Sequence, residues 1–113
     1  MENYHPDECL VNTALAPIIG KWKVLILLHI DYHTTLRFNE LRRAIPEITQ
    51  RVLTAHLREL EQEHLIERRV FGEGRPKVEY SLSEHGQTLQ PILRQLHAWG
   101  KAHHAYLAAQ QQK

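Results

Sequence analysis

Between Thr49 and Glu61 the leucines Leu53, Leu57 and Leu60 recur at i, i+4, i+7, the spacing of one buried helix face. Thr49, Gln50, Arg51, Thr54 and Arg58 project away from that stripe, and no acid appears before Glu59. An ordinary solvated face mixes acids and bases in i, i+4 pairs. This one offers hydroxyl, amide and guanidinium groups, which pair with base edges and phosphates. A shorter helical segment precedes it, with Phe38, Leu41 and Ile45 at i, i+3, i+7. Pro46 ends that segment, because it lacks an amide proton and disfavours helical geometry at Ile45. Thr49 is a good N-cap for the second helix. Two helices across so tight a break predict a helix-turn-helix whose second helix reaches the major groove.

Strand character follows. Leu65–Phe71 and Lys77–Leu82 are rich in β-branched and aromatic residues in partial alternation, and Gly72-Glu73-Gly74-Arg75-Pro76 between them predicts a hairpin loop. Arg75 at its tip and Lys77 beside it are placed to meet phosphates or the neighbouring minor groove. Trp22–Ile30 is apolar nearly all round and predicts a central core helix, with Trp22 packed in the core. Ser83 is a good N-cap for a last long helix through Leu89, Ile92, Leu93, Leu96, Trp99, His103, Tyr106 and Leu107. Pro91 kinks or restarts it. That apolar face exceeds what a small core buries, so it predicts a homodimer joined through Leu89, Leu93, Leu96, Trp99, His103 and Tyr106. The segment Leu10 to Ile19 is expected to pack beside it. The predicted fold is mainly α with a small β-hairpin (α+β): a winged helix-turn-helix with N- and C-terminal dimerisation helices. Residues 1–8 read as a flexible arm, 9–107 as one domain, and 108–113 as a frayed tail.

These blocks resemble a known family. Gly20-Lys21-Trp22-Lys23-Val24-Leu25-Ile26-Leu27, Arg37–Arg43, Ile48–Thr54, Leu57–Glu61, Val78–Leu82 and Trp99-Gly100 stand in the order found in HxlR-type regulators, part of the MarR-like winged-helix group. The resemblance runs from about Cys9 to His104. It implies a dimeric DNA-binding transcription regulator of the bacterial cytoplasm, some relatives of which sense oxidants or electrophiles through a cysteine. Two positions depart from the pattern: Pro17 interrupts the first helical segment, and Leu10 follows Cys9 where many relatives have proline.

Composition narrows the picture. With 113 residues the chain makes one domain, small enough to gain from dimerisation. Fourteen basic and thirteen acidic residues leave a formal charge of +1, so overall charge does not announce nucleic acid. From Arg37 to Lys77, nine Lys or Arg face seven acids, a modestly basic stretch on a neutral body. Cys9 is the single cysteine, which excludes an internal disulfide and points to a reducing compartment. No apolar run approaches a bilayer span, and the acidic N-terminus lacks a signal core, so a cytoplasmic, non-membrane location is expected.

Candidate roles follow from chemistry. Arg51 and Gln50 suit guanine and adenine edges in the major groove. Thr49 and Thr54 suit phosphate or a thymine methyl. Arg58 suits the backbone, and Arg37, Arg43 and Arg75 suit phosphates. Cys9 opens a helical segment, where a thiol is placed to meet oxidants, while Asp7 and Glu8 disfavour a thiolate. On the residues alone a structural cysteine is the stronger reading, and the family resemblance adds thiol sensing. Oxidation would end in a disulfide to the partner's Cys9, a mixed disulfide or a sulfenic acid. Nine histidines include His97, His103 and His104 on the last helix and His5 near Cys9, yet no ligand signature binds them into a metal site. No cofactor and no defined small-molecule effector is implied. There is no nucleophile elbow, phosphate-cradling glycine loop or facing carboxylate pair, so an enzyme is not expected. The reading is a sequence-specific regulator, a repressor, on palindromic duplex DNA. A protein-binding winged helix is the alternative, as is a regulator responsive to a ligand or metal without thiol sensing.

Overall fold

The computed structural model describes His5, Pro6 and residues 9–112. The arm expected over residues 1–8 lies outside the described residues except for His5 and Pro6, as does Lys113 of the tail. Six helices and three strands follow in the order α1 Val11–Leu15, α2 Lys23–His33, β1 Thr35–Arg37, α3 Phe38–Ala44, α4 Gln50–Gln62, β2 Ile66–Phe71, β3 Lys77–Leu82, α5 Glu84–Gln87 and α6 Gln90–Gln111. The fold is mostly helical with a small antiparallel sheet, as the periodicity predicts.

The leucine stripe does what its spacing requires. Leu53, Leu57 and Leu60 are buried with Ile26, Leu27 and Ile30 of α2, Leu41 of α3, and Ile45 and Ile48 of the turn. Trp22 packs against this core. Arg37 N–H donates to Glu40 Oε1 at 2.8 Å, and Thr49 Oγ1 accepts from Val52 N–H at 3.1 Å, so α3 and α4 both begin on a capped turn.

Two differences from the sequence reading have physical causes. The hairpin gains a third strand: β1 pairs antiparallel with β3, Leu36 opposite Tyr80, giving the order β1-β3-β2. Three residues are too few for a period-2 signal, and Leu36 is the only one of them buried. The first segment is helical only over Val11–Leu15, with no buried residue, and the chain turns through Pro17. Of the two outcomes expected at Pro91, the structure shows the restart, so the last segment is two helices. Ser83 caps the one-turn α5 by accepting from Gly86 N–H at 2.8 Å, and α6 restarts at Gln90 with Pro91 in its first turn. Helix α6 then runs on to Gln111.

How α4 ends fixes where the sheet lies. Leu65 N–H donates to Leu60 C=O and His64 N–H to Glu61 C=O, both at 3.0 Å. His64 has φ 62°. This is a Schellman stop with histidine in the left-handed position glycine normally takes, and Leu60 and Leu65 supply its buried apolar contact. The reversed chain is then locked. Ser83 N–H donates to Leu65 C=O at 3.0 Å and Ser83 Oγ to His64 C=O at 2.5 Å. Gly86 comes so close that a Cβ there would sit 2.0 Å from the Leu65 carbonyl oxygen.

An ion pair ties α2 to α4. Lys23 begins α2, where the helix dipole disfavours a cation, and its side chain is 11% exposed. Glu59 Oε2 meets its Nζ at 2.5 Å, and the Lys23 ammonium holds the Glu59 carboxyl below the usual glutamate range. His56 Nδ1 lies 3.7 Å from the same oxygen, beyond hydrogen-bond length.

Replacing His64 by glycine removes the left-handed strain at some cost in chain entropy. His64→Gly is expected to raise stability by roughly 0.5–1 kcal/mol in denaturant unfolding; a loss of stability would contradict the strained stop. The Glu59 contribution is present above the unfolded glutamate pKa and is lost as pH falls through the lower folded one. Glu59→Gln should therefore lower stability at neutral pH and flatten its decline as the pH falls below the unfolded glutamate range. An acid limb as steep as that of the unsubstituted chain would show that the pair contributes nothing.

Candidate nucleic acid interface

Burial of one face of α4 turns the other outward. Gln50, Arg51 and Arg58 are exposed, Thr54 is half-buried, and with Ala55 they line one shallow hollow on the helix. None of the four polar side chains has a hydrogen-bond or ion-pair partner among the described residues. Thr49 is exposed at the N-cap; its oxygen is engaged with Val52, leaving the hydroxyl proton to donate elsewhere. The first acid of the helix, Glu59, is taken up by Lys23. The early turns of α4 thus offer donors without a competing carboxylate.

The other expected cations lie on α3, the sheet and its hairpin loop. Arg43 is exposed on α3 and shares a hollow with Asn39, Arg42 and Pro46. Arg75 is exposed in the loop joining β2 and β3, where Gly72 and Gly74 take φ 88° and 81°, the left-handed conformation glycine allows. Lys77 is exposed opposite Phe71. Arg37 closes β1 opposite Glu79, on the sheet face away from Tyr80.

Sequence reasoning passed over Arg42 and Arg68. Arg68 lies opposite Tyr80, and Thr54, Arg58, Arg68 and Tyr80 line a single hollow between α4 and the sheet. Strand alternation from buried Ile66 carried that signal, since it puts Arg68 on the side that faces α4.

The expected dimer residues fall into two groups. Leu93 is 2% exposed and Leu89 packs against the core, so both serve their own domain. Leu96, Trp99, His103 and Tyr106 are exposed, as are Ile92 and Leu107; Trp99 and His103 stack at 4.7 Å. Leu10, Val11, Leu15 and Ile19 are exposed around α1. Cys9 is a half-buried free thiol just before α1, its N–H donating to Pro6 C=O at 3.2 Å. Among the described residues no cluster of three or more His, Cys, Asp or Glu is arranged to hold a metal, and no helix is long and apolar enough to cross a membrane.

Comparison with known proteins agrees with this geometry. The profile of the HxlR-like helix-turn-helix family matches residues 17–107, which leaves Cys9 and α1 outside the matched region. The chain is 46% identical over 103 residues to the uncharacterised HTH-type transcriptional regulator YybR of Bacillus subtilis, covering 89% of this chain and 82% of that protein. Its structure is similar to that of the redox regulator HypR in its reduced form, with TM-score 0.83 and 44% identity over 89% of this chain and 99% of the other. The oxidised form of HypR is similar at TM-score 0.77 and 48% identity, over 83% and 96% of the two chains. Capped helix pair, wing and outward polar helix face together with these likenesses lead to one assignment: the chain belongs to the HxlR-like helix-turn-helix family of DNA-binding transcriptional regulators, within the MarR-like winged-helix proteins.

Proposed function

We propose that this regulator binds duplex DNA sequence-specifically as a homodimer on a palindromic operator and represses by covering it. One observation carries the reading: the exposed face of α4 presents Gln50, Arg51, Thr54 and Arg58 unpaired, held outward by the buried leucines behind them. Arg51 and Gln50 read base edges, and Thr49 and Thr54 meet phosphate or a thymine methyl. Arg58, Arg43, Arg37, Arg75 and Lys77 hold backbone. The apolar surface of α6 supports the dimer. Trp99 is 66% and Tyr106 60% exposed, on a helix of about 33 Å. Burying Trp99, Tyr106, Leu96 and Ile92 against a second copy, with α1 alongside, removes a patch a monomer rarely exposes. Two-fold symmetry then sets two α4 helices about one DNA turn, roughly 34 Å, apart.

Cys9 adds a thiol response to this scheme. It adjoins the exposed apolar residues Leu10 and Val11, so a change at its sulfur reaches the surface assigned to the partner. HypR, a redox regulator, supports the reading by likeness. With an oxidant such as diamide, two Cys9 thiols give up two electrons and two protons and join in one S–S bond across the dimer; a mixed disulfide or sulfenic acid is the single-thiol outcome.

An operator selected from random duplex DNA serves both tests. Arg51→Ala should lose affinity for it by about tenfold or more and relax sequence preference, whereas Arg75→Ala should weaken all duplexes alike and flatten the salt dependence. Unchanged specific binding by Arg51→Ala in a mobility-shift titration, or a monomer mass in sedimentation, would overturn the reading. Diamide should change operator affinity in the natural chain and leave Cys9→Ser unaffected; equal responses from both would remove the thiol from the mechanism.

A further inference from the structure

The left-handed stop at His64 sends β2 back beside α4. Because strand residues alternate, Arg68 shares the face of buried Ile66, and its cross-strand partner Tyr80 packs against the core. Arg69 points to the other face, where it meets Glu67 at 3.4 Å. Arg68, though exposed, therefore lies on the side of the strand that faces α4, whereas its neighbour does not. It lines, with Arg58 of α4, a hollow of about 360 Å³ whose floor is Phe38 and Leu57 and whose walls add Thr54, Tyr80 and Glu61.

That hollow has an electrostatic imbalance. Two guanidinium groups enter it from different elements, and neither has an ion pair or hydrogen bond among the described residues. Among the described residues Glu61 is the one carboxylate lining it, and it pairs with neither. Thr54 and Tyr80 add two hydroxyl donors. Two guanidinium forks and two hydroxyls over an apolar floor fit an anion with several acceptor oxygens.

We propose that Arg58 and Arg68 together seat one backbone phosphodiester of the bound duplex at the junction of reading helix and wing, with Thr54 and Tyr80 completing the cradle. The proposal rests on α4 being the reading helix, and it gives a role to Arg68 and Tyr80 that no base contact requires. A phosphate held there is blind to sequence; it fixes how deep and at what tilt α4 lies in the groove.

The test uses the full chain on the selected operator and on a duplex of random sequence. Arg68→Ala should weaken both by roughly tenfold, keep the preference between them, and reduce the slope of log affinity against log salt by about one. Arg58→Ala should do the same, and the double variant should lose clearly less than the product of the single losses, because both act on one phosphate. Arg68→Lys, which keeps the charge and loses the fork, should fall between. Ethylation of a single phosphate in each half-site should impair the natural chain and leave Arg68→Ala indifferent. Unchanged affinity and salt slope for Arg68→Ala on both duplexes would overturn the seat, as would strictly multiplicative losses with two separate ethylation sites. Arg51→Ala separates the two levels: if it relaxes specificity while Arg68→Ala does nothing, only the seat fails, whereas a natural chain that prefers no duplex removes the DNA reading itself.

Discussion

Burial of Leu53, Leu57 and Leu60 is the constraint on which the rest of the molecule depends. Each leucine withdrawn from water contributes about 2 kcal/mol, and the three share one side of α4, so the helix has one favourable rotation about its axis. A turn of about 100° to the next residue would bury Arg58 and expose Leu57, leaving an unpaired guanidinium in an apolar site at a cost of several kcal/mol. The outward display of Gln50, Arg51, Thr54 and Arg58 is thus enforced from behind. The Lys23–Glu59 pair acts in the same direction, tying α4 to α2 and removing the first acid from the exposed field.

The wing is placed by backbone geometry more than by side-chain packing. His64 takes the left-handed conformation, Leu60 and Leu65 close the Schellman stop, and Ser83 and Gly86 clasp the turn from the far end of the hairpin. Those few hydrogen bonds and one close approach join the end of α4, the start of β2, the end of β3 and the start of α5. A shift of the hairpin is therefore resisted where it would also move α4. For a DNA-binding protein this matters because groove and backbone contacts come from different elements and must arrive in a fixed relation.

At the other end of the chain the balance reverses. Helix α6 gives Leu93 to the core and then leaves it, carrying Leu96, Trp99 and Tyr106 into solvent. Its residues serve two masters at the same helical spacing, the domain below and the surface beyond. Periodicity reports only that a residue belongs to an apolar face, so Leu89 and Leu93 look in sequence like Trp99 and Tyr106.

What the chain determined by itself was local. Leucine spacing, the break at Pro46, the cap at Thr49, the glycines of the wing loop and the donor-rich face of α4 each follow from neighbours within a turn or two, and all are present in the structure. So too is the restart at Pro91, one of two outcomes the proline allowed. Tertiary structure decided what depends on distant partners. Strand β1 exists because β3 offers it hydrogen bonds, Gly86 is needed because Leu65 lies against it, and Arg68 faces α4 because the chain reverses at a histidine where a glycine would have announced the turn. The physical reason is that side-chain direction propagates along the chain with a fixed period, whereas which distant segment a face meets is set by the fold's closure and is not specified by either segment alone.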